Sequence, residues 1–83
     1  MKIQVLGLGC AKCKKAYEMM NGALKQLGES AEIEKVEKME EIVKYGVMMT
    51  PAVVVNGKVK CSGKVPTLAE ATSYITSALA EVE

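Results

Sequence analysis

The 83-residue chain has no Phe, no Trp and no His, only two prolines and three tyrosines. Eleven basic against ten acidic side chains leave a net charge of +1. Without a basic surplus there is no electrostatic footprint for a phosphate backbone or an anionic membrane. Only Tyr17, Tyr45 and Tyr74 could stack on bases, so no nucleic-acid partner is expected. No apolar run approaches the roughly 20 residues that span a bilayer, so no membrane partner is expected either. The start runs from Met1 and Lys2 straight into an alternating stretch, without the apolar core and small-residue cleavage site of a leader segment. These absences lead to the expectation of a cytoplasmic protein. Cysteine is present but odd in number, at three. A structural disulfide scaffold uses paired cysteines and an oxidising compartment, so catalytic or metal-binding roles gain weight.

What is present is the material of one small globular domain over residues 1–83: 49% apolar and 25% charged residues. A chain this short buries only about 60% of the surface its unfolded form exposes, so core substitutions should be felt strongly. MKIQVLGL (Met1–Leu8) alternates, with Ile3 and Val5 opposite Gln4, and then meets the breakers Gly7 and Gly9. From Ala11 to Leu27 the positions Cys13, Ala16, Tyr17, Met20, Ala23, Leu24 and Leu27 recur at helical spacing, and Gly28 stops them. A short second strand is expected over Ala31–Val36. Met39, Ile42, Val43 and Val47 give a second, shorter helical pattern that Gly46 interrupts. Ala52–Val55 and Lys58–Cys61 flank Asn56-Gly57, the two-residue signal of a tight hairpin. Thr67-Leu68-Ala69-Glu70 is a capping box ahead of a last helix whose stripe is Leu68, Ala71, Ile75, Ala78, Leu79 and Val82. The expected order is β-α-β-α-β-β-α, an α/β fold with four strands in one mixed sheet and three helices on its faces. A right-handed first crossover makes the first two strands parallel neighbours.

Chemistry concentrates in Gly9-Cys10-Ala11-Lys12-Cys13, at the turn from the first strand into the first helix. Residues three apart at a helix start share a face, with Cβ atoms about 5 to 6 Å apart, so a small rotamer change closes a disulfide. Cys10 stands where the helix macrodipole and unpaired amides favour a thiolate, and Lys12, Lys14 and Lys15 crowd the same turn. Cys10 is therefore the expected attacking thiolate, with Lys12 tuning it. Cys13, one turn inward, is the expected resolving thiol. A lysine cluster at a helix start runs against the dipole preference for acids there, a cost that points to attraction of a thiolate or an acidic partner.

With this pair, Thr50-Pro51 before an apolar strand, and the Asn56-Gly57 hairpin, the chain resembles the thioredoxin and glutaredoxin superfamily over nearly its full length. It looks most like the small archaeal and bacterial thioredoxin-like proteins described as redox-active disulfide proteins. The resemblance implies a thioredoxin fold, a cis-proline at Pro51 beside the cysteines, and a Thr50 backbone offered to a bound substrate segment. On physical grounds alone the bond before Pro51 would be trans, since only about 5 to 6% of such bonds are cis. The chain also departs from the common thioredoxin pattern. Gly9 stands in place of the usual Trp, Ala11-Lys12 in place of Gly-Pro, and Gln4 where many thioredoxins bury an acid. A potential unlike thioredoxin's is expected, and the usual proton acceptor for the second thiol is missing. Around Ser62-Gly63-Lys64 and Thr67 the glutathione-holding segment of glutaredoxins is replaced, which disfavours a glutathione-specific role.

A soft-metal module for copper or zinc is the rival reading of the same pair. Gly7-Leu8-Gly9-Cys10 is similar to the lead-in of heavy-metal-associated domains, but those end on a strand where this chain ends on a helix. With no His, a zinc site lacks ligands unless Cys61 or a second chain contributes. Strict alternation pairs Val59 and Cys61 on one face, and Cys61 is expected as a small buried core residue. Met20 and Met39 fall on helical core stripes. Met48 and Met49 adjoin the proline loop and are candidates for an adaptable apolar contact surface. The expectation is a thiol-disulfide oxidoreductase with catalytic Cys10 and Cys13 and a substrate-docking segment of Met49, Thr50 and Pro51. No cofactor is expected beyond the internal disulfide. The expected partners are protein disulfide clients and a reductase donor, met by a monomer.

Overall fold

The structure, a computed structural model, describes residues 2–9 and 11–81, the last of these by its backbone only. The elements follow in the expected order: β1 (Lys2–Leu6), α1 (Ala11–Leu27), β2 (Glu32–Val36), α2 (Met39–Lys44), β3 (Ala52–Val55), β4 (Lys58–Ser62) and α3 (Leu68–Glu81). The sheet order is β2-β1-β3-β4. β1 runs parallel to β2, with Ile3 opposite Ile33, and antiparallel to β3, with Ile3 opposite Val55. β3 and β4 form the hairpin, in which Asn56 and Gly57 both take positive φ, as a two-residue turn matched to strand twist requires. This mixed four-stranded sheet with three helices is the thioredoxin fold.

Both faces of the sheet are covered, so the central strands bury nearly every side chain. One core layer joins Ile3, Val5, Val53 and Val55 to Ala16, Met20 and Leu24 of α1 and to Ala71, Ile75 and Ala78 of α3. The other joins Leu6, Ala52 and Val54 to Ile42 of α2 and to Val47. Gln4, expected on a polar face, is buried with the rest of β1. Its amide donates to Glu34 Oε1 at 2.8 Å and its oxygen accepts from the Tyr45 hydroxyl at 2.6 Å, which removes the cost of burying an unpaired amide.

Several expectations about the core are corrected. Met39 and Val43 are exposed, because α2 is six residues long and turns only Ile42 inward. Leu27, Leu68 and Leu79 are also partly exposed, lying at the margins of their stripes, and Val82 lies outside the described residues. Val59 and Cys61 do not share a face. The register shifts between Val53 and Val54, so that Val53 pairs with Cys61 while Val54 pairs with Val59. Lys60 is the extra residue of a β-bulge that sends Cys61 into the core and leaves Val59 to solvent. The capping box forms as expected: the Thr67 hydroxyl accepts from Glu70 N at 3.1 Å, and Glu70 accepts from Thr67 N at 3.0 Å.

Candidate active site

The site is assembled where β1 ends, α1 begins and the loop before β3 returns. Cys13 lies in the first turn of α1 on its inward face and is 7% exposed. Its sulfur packs against Gly7, so closely that a Cβ built on Gly7 would overlap Cys13 Sγ and stand 3.0 Å from Cys13 Cβ. The same point is 3.9 Å from Thr50 Cβ. The end of β1 therefore meets the first turn of α1 at this thiol, and the residue before Pro51 lies close to Gly7. The Gly7 backbone is anchored there by its amide, which donates to Val36 O at 2.9 Å. Cys10 lies outside the described residues.

The Thr50–Pro51 peptide bond is cis. Pro51 is fully buried, and its carbonyl accepts from Gly63 N at 2.9 Å, which ties the loop to the segment after β4. Met49 lies over Gly63: a Cβ added there would come within 3.2 to 3.4 Å of Met49 Cβ, Sδ and Cε. Thr50 is exposed beside it, and Met48, Met49 and Leu8 all present apolar surface to solvent, Met48 almost completely. Met49, Thr50 and Pro51 are thus brought to one rim. Lys12, Lys14 and Lys15 are exposed on the first two turns of α1, and the first turn holds no acid.

A pocket of about 100 Å³ opens beside the buried thiol, bordered by Gly7, Gly9, Cys13, Lys14, Lys35 and Glu37. Lys35 Nζ also lies 4.6 Å from the centre of the Tyr17 ring, a cation–π contact that holds its stem across α1. Gly9 has φ +85, and a side chain there would press on Glu37 Oε2 at 3.2 Å. Gly7 and Glu37 are the residues that reading the sequence missed. Glycine before a helix reads as a breaker, and an acid in a charged segment reads as solvated surface. The only signal for Gly7 was its place three residues before Cys10.

Cys61 sits apart, within the α1–α3 core layer and near Tyr74 and the Lys64 carbonyl, to which its thiol donates at 4.0 Å. Burial pushes the Cys61 thiol up, against the opposing pull of the hydrogen bond with Tyr74. The Tyr74 hydroxyl is pushed up to about 12, by burial first and then by negative charge on Cys61. Cys61 does not border the Cys13 pocket. Among the described residues no group of three or more His, Cys, Asp or Glu side chains could hold a metal ion. No helix among the described residues is long and apolar enough to cross a membrane.

Comparison with known proteins points to one family. A family model for the thioredoxin domain matches residues 1–76. A thioredoxin of Methanothermobacter thermautotrophicus is 40% identical over 65 residues, which cover 78% of this chain and 84% of that one. A thioredoxin of Methanocaldococcus jannaschii is 36% identical over 77 residues, covering 93% of this chain and 88% of that one. A probable thioredoxin of Methanothermobacter thermautotrophicus is 35% identical over 57 residues, 65% of this chain and 67% of that one. The match over residues 1–76 and these identities show that the chain belongs to the thioredoxin family, with thiol-disulfide oxidoreductase activity.

Proposed function

We propose that the redox chemistry runs through Cys10 and Cys13 as one dithiol. The Cys10 thiolate attacks a disulfide of a protein or small-molecule partner. A Cys10–partner bond forms, the partner's S–S bond breaks, and one partner thiolate leaves. The Cys13 thiolate then attacks Cys10 Sγ, the Cys10–Cys13 disulfide forms, and the second partner thiolate leaves. The partner gains two electrons and the dithiol loses two, to be restored by a reductase donor. The internal disulfide is the whole redox equipment, and no further cofactor is needed.

The observation that carries this reading is the placement of Cys13: buried, in the first turn of α1, and packed against Gly7, which itself lies close to Thr50 of the proline loop. A thiol so placed is shielded from bulky partners and is suited to intramolecular resolution. The exposed rim of Met49 and Thr50 above buried Pro51 suits an extended segment of a protein client, with Met adapting to varied side chains. Lys12 adds positive charge to the helix end where the Cys10 thiolate forms. The 83 residues act as one monomeric domain in the cytoplasm, where a reducing pool keeps the pair in turnover.

Trapping tests the assignment. With a protein disulfide client, Cys13→Ser accumulates a mixed disulfide through Cys10, whereas Cys10→Ser forms none. Accumulation in Cys10→Ser instead would reverse the two roles, and a mixed disulfide through Cys61 would remove the pair from the chemistry.

A further inference from the structure

Cys13 must lose a proton before it can displace a client. Gln4 cannot take that proton: its amide is engaged by Glu34 and Tyr45 on the α2 side of the sheet, while Cys13 belongs to α1 on the opposite side. One carboxylate does reach the thiol's surroundings. Among the described residues Glu37 is the only acid bordering the pocket beside Cys13. A second feature leaves room for it: Gly9 has no side chain where one would crowd Glu37 Oε2 at 3.2 Å. The pocket, at about 100 Å³, exceeds the volume that a bound water needs, and its border supplies the polar partners. Lys14 from α1 and Lys35 from β2 face the same space, bringing positive charge to the side on which the thiolate forms.

We propose that Glu37 is the proton acceptor for Cys13 in the resolving step, with the proton passing through water in this pocket. The Cys13 S–H bond breaks and the proton goes to the Glu37 carboxylate. The thiolate attacks Cys10 Sγ, the Cys10–client bond breaks, and the departing client thiolate is protonated by solvent. The proposal rests on the reading of Cys13 as the resolving thiol.

The test uses an aromatic disulfide whose leaving thiolate is coloured. The first burst of colour reports attack by Cys10 and the second reports resolution by Cys13. In Glu37→Gln the second phase slows at least about tenfold near neutral pH, within the range general-base removal gives. It regains the wild-type rate at alkaline pH, where the thiol ionises without help. An unchanged second phase in Glu37→Gln overturns the proposal, as does a slowing that is the same at every pH, which a structural role would produce. Cys13→Ser run alongside separates the two failures: loss of the second phase there upholds Cys13 as the resolving thiol whatever Glu37 does. Its persistence would sink both.

Discussion

Gly7 and Cys13 are in van der Waals contact across the strand-to-helix turn, so tightly that the site has no room for a Cβ at residue 7. The contact fixes where the second thiol stands relative to the sheet. Gly7→Ala should therefore destabilise the protein by about 1 to 3 kcal/mol, the usual cost of overpacking a filled site. In a Cys13→Ala background most of that penalty should disappear, because the overlapping sulfur is gone and only the Cβ contact at 3.0 Å remains. A double-mutant cycle by chemical denaturation measures the coupling. Additive penalties would show that the contact does not constrain the thiol.

Met49 should matter for large partners and not for small ones. Met49→Glu places a charge on an exposed apolar rim next to Gly63. It should slow exchange with a protein disulfide by about tenfold, the loss of a modest contact hot spot, and leave exchange with a small disulfide unchanged. Steady-state rates on the two substrate classes check this. Equal rates on both would remove Met49 from the docking surface.

Lys12 is exposed, and its effect on Cys10 should be electrostatic and small. Lys12→Gln should slow alkylation of Cys10 at neutral pH by about twofold, as loss of one charge near a helix end implies. Raising the ionic strength should shrink the difference.

Much of this architecture was legible beforehand because local rules and tertiary needs agree. Asn56-Gly57 at paired positive φ, the Thr67–Glu70 box and the periodicity of α1 each specify an element without help from the rest of the fold. What was hidden depends on neighbours distant in sequence. The bulge at Lys60 leaves period-two alternation intact on paper, yet it separates Val59 from Cys61. Met39 and Val43 fit a helical stripe, but a six-residue helix lying on one sheet face buries only part of it. Gly7 and Glu37 show their parts only once Cys13 stands beside them. For Pro51, chain physics favoured trans, and only the family resemblance pointed to the cis bond the structure contains.

Alkaline pH should loosen the α3 side of the core. Burial raises the Cys61 thiol above its ordinary 9.0 and the Tyr74 hydroxyl from 10.0 to about 12. Both groups ionise more readily in the unfolded chain, so the unfolded state gains as pH rises. Their contribution to stability is complete below about pH 9 and falls as pH climbs through the raised values, with the Tyr74 share lost between about 10 and 12. Melting temperature against pH should show this decline, and Tyr74→Phe should make it shallower over the upper part of the range. An identical decline in the variant would mean that other groups govern it.

The central claim is that Cys10 and Cys13 form one reversible dithiol while Cys61 stands aside. Its most direct test is equilibration in redox buffers of graded potential, followed by alkylation and a mass count of thiols per cysteine. Cys10 and Cys13 should lose their thiols together in a single two-electron transition, with Cys61 unaltered throughout. A disulfide that includes Cys61, or tightly bound copper or zinc with no reversible disulfide, would contradict it.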